Sequence, residues 1–178
     1  MPNYNSKHNH LTQNKTATST LIRIGFVAVM VLVLSHCSNR KVDVDELIRD
    51  PAKDNDSLIQ VTPLVPAAVM ILIQQADAQL SNGGVNDALL TLNRALSISP
   101  SSALVQQHLA EAYLTDADYK QAMYWSTLVV NQGPDQGALC ERSRRTQALA
   151  AELLNQVVIQ TRALESIAAC STQQPAKY

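Results

Sequence analysis

The sequence predicts an all-α protein built from helical hairpins that repeat along the chain, and two matched spacings carry this prediction. Ala88 and Ala122 lie 34 residues apart, and Pro100 and Pro134 have the same separation. A fixed period of this length is typical of stacked helix–turn–helix units. Such stacks usually form binding surfaces, so the period indicates recognition of another molecule more than catalysis.

Two repeat units are predicted over residues 66–136, and the first shows how each unit is built. Gly83-Gly84 separates two apolar stretches, which predicts the turn of a hairpin. Apolar residues then recur at three- and four-residue spacing, typical of a helix with one buried face. This stripe consists of Leu89, Leu92 and Leu96.

The junction between the two units carries the signals that end one helix and begin the next. Pro100 cannot continue the preceding helix, because proline lacks an N–H and clashes with the previous turn. Pro134 ends the second unit in the same way. Ser101 and Ser102 follow Pro100, and we expect them to cap the next helix by accepting a hydrogen bond from its free N–H groups.

Large, small and aromatic residues in the second unit follow a characteristic order: Leu109, Ala110, Tyr113, Tyr119, Ala122 and Pro134. This order resembles the tetratricopeptide repeat, in which a large–small pair and an aromatic residue lie in the first helix, a small residue lies in the second, and a proline ends the unit. The first unit shares the small residues and the proline of this pattern: Ala76, Gly83, Ala88, Ala95 and Pro100. It departs at Leu72 and Gln79, where the family prefers tryptophan and tyrosine. A helical-hairpin domain without true repeats is the alternative.

Residues 137–170 are predicted to cover the second unit, because two repeats alone leave an apolar face open. Two arrangements remain open. One is a long capping helix, which the absence of Gly and Pro between Gly137 and Pro175 favours; the other is a degenerate third repeat that turns near Asn155. On a single helix the 30-residue separation of Cys140 and Cys170 spans about 45 Å. A hairpin brings the two thiols side by side and permits a disulfide.

Residues 1–36 have the organisation of an export signal. Basic residues precede an apolar run over residues 24–34, as they do in secretory signals. The run of eleven residues is shorter than the roughly 20 that cross a bilayer. We therefore expect export of the rest of the chain.

Cys37 follows this run closely, and together with Leu34 and Ser35 it resembles the signal of bacterial lipoproteins. His36 departs from that pattern, which has a small residue before the cysteine. The resemblance implies cleavage before Cys37, acylation of Cys37 as a membrane anchor, and a place on the periplasmic side of the cell envelope. Ser38, where an aspartate would favour the inner membrane, indicates the outer membrane. An uncleaved N-terminal anchor is the alternative.

Residues 37–65 are predicted to be the acylated cysteine followed by a charged tether, and residues 171–178 to be a tail. A composition this charged buries too little apolar surface to fold alone, although Leu47-Ile48 could form a short helical turn. We expect the tether to space the repeats away from the membrane.

The remaining residues lack the combinations that catalysis requires. His108 is the only histidine after residue 36, whereas a metal site needs several converging ligands and a nucleophile needs a base and an orienting group. A formal net charge of −1, without a basic stripe that carries aromatic residues, argues against nucleic acid as a partner. We expect no enzymatic activity, metal, cofactor or small-molecule substrate.

The repeat resemblance implies a binding groove lined by the first helix of each unit. Position by position, the lining is Ile73, Gln74, Asp77, Gln107, His108, Glu111, Glu141, Arg142 and Arg145. Within the densest charge cluster, Arg142, Arg144 and Arg145 form either a solvated helix face or a grip for a client's carboxylate, which arginine binds bidentately. The mixed polar lining favours a modest, transient contact.

These features predict an envelope-anchored adaptor that docks a protein or peptide client in the groove. Clients of the expected kind are a cell-wall hydrolase, a protease, or a component of a pilus or secretion machine. The alternative is a structural protein that self-associates and braces an envelope complex.

Overall fold

The computed structural model describes residues 42–54 and 63–171, which belong to one compact unit. The regular elements in these two ranges are all helical, which confirms the all-α prediction. The export signal predicted over residues 1–36, the acylation site predicted at Cys37 and the tail beyond residue 171 lie outside the described residues. Within the described ranges, none of the helices has both the length and the apolar character that crossing a bilayer requires.

The helices follow one another in pairs. In chain order they are a π-helical turn (Asp45–Arg49) that continues into α1 (Asp50–Lys53), then α2 (Ala67–Ser81), α3 (Val85–Ile98), α4 (Ala103–Thr115), α5 (Tyr119–Gln132), α6 (Gly137–Leu153) and α7 (Val157–Ser166), which runs into a 3₁₀ turn (Ile167–Cys170). The pairs α2–α3, α4–α5 and α6–α7 pack as hairpins, and α3 packs on α4 as α5 packs on α6. Along the stack α2 also contacts α4, and α4 contacts α6, so the arrangement is like that of a helical repeat.

Each hairpin turns through one residue in the left-handed backbone region. These residues are Gly83 with φ of 79°, Ala117 with φ of 62° and Asn155 with φ of 57°. After α2 the N–H of Gly84 donates to the carbonyl of Gln79 at 2.8 Å, and after α6 the N–H of Gln156 donates to the carbonyl of Ala151 at 2.7 Å. Both bonds span the six residues of a Schellman ending, so the third hairpin turns as the first one does.

Side-chain caps begin the two helices of the second hairpin. The Ser102 hydroxyl accepts a hydrogen bond from the Val105 N–H at 3.4 Å, which confirms the cap predicted there. Asp118 Oδ1 accepts from the Gln121 N–H at 3.1 Å. Ser101, the other predicted cap, is exposed and lies before the capping position.

Two clusters of apolar side chains form the interior. The first core cluster fills the space among α2, α3 and α4, and its buried members are Val69, Ile73, Ala76, Ala88, Leu92, Ala95, Val105, Leu109 and Ala112. The second core cluster has Ile48, Leu114, Ala122 and Ala150 as its buried members. Four of the small residues in the repeat pattern, Ala76, Ala88, Ala110 and Ala122, are fully buried.

Of the two arrangements considered for residues 137–170, the structure has the hairpin. The chain turns between α6 and α7, and a disulfide joins Cys140 to Cys170 with their Cα atoms 5.6 Å apart. The turn needs neither Gly nor Pro because Asn155 supplies the left-handed conformation, which asparagine adopts more readily than most residues.

Residues 42–54, here called the docked segment, differ from the predicted tether. They are helical and lie against the repeats, with Ile48 and Ala52 fully buried. Ile48 and Ala52 are four residues apart, so one turn of helix places both on the same side. The acidic residues Asp45 and Glu46 and the cation of Lys53 stay exposed, which is why the composition alone reads as a solvated tether.

Candidate functional site

The docked segment lies on one face of the stack, which we call the groove and which α2, α4 and α6 form together. Ile48 packs with Leu114 of α4 and Ala150 of α6 in the second core cluster. The side chain of Arg49 extends to Asp77 on α2 and to Glu111 on α4. A peptide-like helix therefore occupies the surface where the sequence predicts that a client binds.

Arg49 makes the principal polar contacts between the docked segment and the groove. Its Nε donates to Glu111 Oε2 at 2.6 Å, and its Nη2 donates to Asp77 Oδ1 at 2.9 Å. Only 17% of the side chain is exposed. The planar guanidinium thus links carboxylates on two different helices, a geometry that the single ammonium of lysine reproduces poorly.

Glu111 is a fully buried carboxylate held between two arginines. Arg142 binds it bidentately, with Nε donating to Oε1 at 2.9 Å and Nη2 donating to Oε2 at 2.8 Å. Gln107 Nε2 also donates to Oε1 at 2.8 Å. With the bond from Arg49, each carboxylate oxygen of Glu111 accepts two hydrogen bonds. A buried charge needs such hydrogen bonds because it has lost its contacts with water.

The pKa values of the ionisable groups at the site reflect this balance of burial and charge. Burial alone would raise the pKa of Glu111, but Arg142, Arg49 and His108 together hold it well below its ordinary value. Burial would likewise raise the pKa of Asp77, but His108 and Arg49 outweigh it and lower that pKa. Burial disfavours the charged form of Arg49, yet the carboxylates of Glu111 and Asp77 raise its pKa above the ordinary value. All three groups are therefore charged at neutral pH.

His108 lies beside the Arg49 site and helps to orient Asp77. Its Nδ1 is 3.1 Å from Asp77 Oδ1 and 3.3 Å from Arg49 Nη2. Because a guanidinium has no acceptor, a proton on Nδ1 is used in a bond to the carboxylate. His108 and Arg49 thus meet at the same oxygen of Asp77.

The charges along the groove follow the repeat period. Asp77 and Glu111 are 34 residues apart and so occupy the same place in successive repeats, and Arg145 occupies it in the third hairpin. Arg145 is engaged by its own helix, since its Nε donates to Glu141 Oε1 at 2.7 Å. Arg49 bridges the acidic residues that occupy this position in the first two hairpins, Asp77 and Glu111.

The predicted lining residues are less open than the sequence suggests. Those that are buried, each at most 6% exposed, are Ile73, Gln107, His108, Glu111 and Glu141. Gln74 is exposed and Asp77 is half-buried. Ile73 belongs to the first core cluster, because it continues the apolar side of α2 that packs against α3 and α4.

The arginines of α6 have partners within the chain. The bidentate geometry expected of Arg142 is present, but its carboxylate is that of Glu111. Arg144 contacts the sulfur of Cys140 and donates from Nη1 to the Cys140 carbonyl at 3.3 Å, and burial lowers its pKa. Arg142 and Arg145 are thus paired with carboxylates of the protein itself, those of Glu111 and Glu141. Neither guanidinium is positioned in this structure to bind a client's carboxylate.

The residues that sequence reasoning missed are those of the docked segment. Arg49 lies among the charges of the predicted tether, and nothing in its local sequence distinguishes it from its neighbours. Two signals were present: the four-residue spacing of Ile48 and Ala52, and the pair of acidic residues at equivalent positions, Asp77 and Glu111.

Within the described ranges, no three His, Cys, Asp or Glu residues converge as the ligands of a metal ion would. A scan against protein-family models finds no match for this chain, and a search of curated proteins finds none. The resemblance to tetratricopeptide repeats therefore rests on the residues quoted above.

Proposed function

We propose that the protein is a helical-repeat adaptor of tetratricopeptide type, anchored in the bacterial envelope through Cys37, that docks a protein or peptide client in its groove. The observation that carries the proposal is the docked segment. A short helix already lies in the groove, with two apolar residues buried and one arginine paired with carboxylates on two helices. Recognition of a helix in a groove uses the same elements, namely apolar anchors at helical spacing and complementary charge.

Two features support a periplasmic location. The N-terminal residues resemble an export signal that ends in a lipoprotein cysteine, as described above. The Cys140–Cys170 disulfide is a bond that persists in oxidising compartments such as the bacterial periplasm. Within the envelope, the clients we expect are cell-wall hydrolases, proteases, or components of a pilus or secretion machine.

A second candidate function is that of a structural scaffold that self-associates. It is favoured by the apolar side chains that α7 leaves open at the end of the stack. Val157 is 66% exposed, Val158 is 71% exposed and Leu164 is 50% exposed. A further hairpin or a second copy could pack there, since each unit of a repeat stack usually buries such a face against a neighbour.

Site-specific photo-crosslinking in intact cells distinguishes the two functions. A photoreactive residue at Gln74, exposed on α2 of the groove, is expected to give a discrete adduct with a client that mass spectrometry identifies. The matched control is Asn93, exposed on the outer helix α3, where no such adduct is expected. An adduct of the protein with itself from Val158, together with none from Gln74, would replace the adaptor by the scaffold.

A further inference from the structure

The groove has a charge requirement that the docked segment satisfies. With Arg49 in place, two carboxylates, Asp77 and Glu111, face two guanidinium groups, those of Arg49 and Arg142. Without Arg49, Arg142 and His108 remain beside these carboxylates, but the guanidinium that bridges them is lost. An occupant that covers Glu111 as the docked segment does leaves that carboxylate fully buried. A buried carboxylate without full compensation is strongly unfavourable. An occupant of the groove must therefore bring a cation to this place.

The geometry favours arginine as this cation, with an apolar residue directly before it in the sequence. Arg49 reaches Glu111 through Nε and Asp77 through Nη2, so it uses two separate donors of one planar fork. Ile48, the preceding residue, belongs to the second core cluster, and Ala52, four residues beyond Ile48, is fully buried. The groove thus holds an aliphatic residue, an arginine and an alanine at these spacings.

The docked segment itself is held by few contacts. Its described helical part is short, from Asp45 to Lys53, and helices of this length are marginal unless they pack against something. Leu47 remains 47% exposed, and the ion pair of Lys53 with Asp50 stays within the segment. Val42 and Val44 pack against the rim of the second core cluster. Docking thus depends on Ile48, Arg49 and Ala52 together with these two valines, and a helix that offers the same groups can replace the segment.

We propose that residues 42–54 are a built-in competitor, and that the client binds by presenting a helical segment whose aliphatic–arginine pair replaces Ile48 and Arg49. This inference rests on the proposed adaptor function and names the kind of partner that the groove selects. The tethered segment acts at an effective concentration on the order of millimolar. A client must bind more favourably than this tethered segment. A client that offers only weak apolar contacts is therefore rejected, and one with an arginine at the place of Arg49 is selected.

The test measures binding of a fluorescein-labelled synthetic peptide of residues 42–54 to the full-length protein in detergent, by fluorescence anisotropy. The protein is used as wild type and as the double variant Ile48→Asp/Arg49→Ala, in which the resident segment no longer fits. We expect the variant to bind the peptide at least about tenfold more tightly, because the tethered competitor is gone. A peptide carrying Arg49→Ala should lose most of that affinity, whereas one carrying Lys53→Ala should keep it.

Far-UV circular dichroism checks that the variant is folded. Arg49→Ala alone, which introduces no charge at Ile48, serves as a second variant with a weakened resident segment, and the change in peptide affinity is expected in the same direction. Equal binding of the Arg49→Ala peptide overturns the arginine requirement while leaving the groove as a peptide site. Equal binding by wild type and both variants overturns the competition. Crosslinking from Gln74, which uses the cell's own clients, judges the adaptor function independently of either result.

Discussion

The two core clusters are completed in different ways. The buried residues of the first core cluster all come from α2, α3 and α4, which are consecutive in the chain. The second core cluster takes Ile48 from the docked segment, which precedes the repeats in sequence. The packing of the first cluster is therefore lost only if these helices separate. The second takes one of its four buried members from outside the hairpins, so it is the cluster that undocking of residues 42–54 would change.

The largest difference between the clusters should appear when one buried aliphatic residue is shortened in each. Leu92→Ala in the first core cluster is expected to lower the free energy of unfolding by about 3–5 kcal/mol, because it leaves a cavity among fixed helices. Ile48→Ala should cost less, because its cost cannot exceed the free energy of docking the segment. Urea unfolding measures both, and hydrogen exchange locates the second effect in residues 42–54.

Leu90→Ala is the matched control for the first change, since Leu90 lies on the same helix and is 57% exposed. It should leave the free energy of unfolding nearly unchanged. If Ile48→Ala were as costly as Leu92→Ala and released the hairpins as well, the docked segment would be an integral part of the fold and not a ligand of it.

The disulfide supports the second half of the stack and should have the next largest effect. Replacing Cys140 and Cys170 by serine opens a 30-residue loop, which in the chain-entropy model costs about 3–4 kcal/mol of unfolding free energy. Reductant should destabilise the wild-type protein by a similar amount and leave the double variant unaffected. Thiol counting on denatured protein from the periplasm provides the direct check, and two free thiols there would contradict the bond.

Acid should act on the groove before it acts on the first core cluster. Asp77 and Glu111 have pKa values below their ordinary values of 3.8 and 4.5. A depressed carboxyl pKa stabilises the folded state above the ordinary pKa, and this stabilisation is lost as the pH falls through the lowered value. Only the share of the lowering that Arg49 causes is linked to docking. Docking should therefore weaken as the pH falls below about 4.

Hydrogen exchange of the amides in residues 42–54, corrected for intrinsic rates, measures this loss of docking. Asp77→Asn should shift the weakening to higher pH or abolish docking, while Asp87→Asn, on the outer helix and exposed, should not. Protection that stays constant from pH 6 to pH 3 in the wild type would mean that docking is apolar and independent of Arg49.

The sequence predicts the hairpins well because their signals are local and repeated. The small residues Ala88 and Ala122 mark close helix contacts wherever they occur, and Gly83 marks a turn by itself. Pro66, which begins α2, lies 34 residues before Pro100 and extends the same register. Asn155 gives the third turn without glycine, so a search for Gly and Pro misses it.

The site is harder to predict because it depends on a contact between distant parts of the chain. A run of charges such as that around Arg49 is compatible with a solvated tether until its partners are known. Those partners, Asp77 and Glu111, lie 28 and 62 residues further along the chain, and only the packing of α2 beside α4 brings them together. The equivalent acidic positions, Asp77 and Glu111, were the sequence signal for such a cation, and Glu111 lies within the apolar helix α4.

The smallest expected effect concerns the turns of the first and second hairpins, which have different residues at the left-handed position. Gly83 and Ala117 occupy equivalent positions, and both are left-handed, with φ of 79° and 62°. This conformation costs an alanine about 1–2 kcal/mol. Glycine avoids that cost, but it gives the unfolded chain more conformational entropy, which destabilises the folded state by about 0.4–1 kcal/mol. Ala117→Gly should therefore stabilise the protein by about 0.5 kcal/mol. Gly83→Ala, whose Cβ would meet no atom within 4 Å, should destabilise it by a similar amount through backbone strain alone.

Thermal unfolding of both variants provides the measurement. A destabilising Ala117→Gly would show that the methyl group of Ala117 contributes more to the second hairpin than its strain removes.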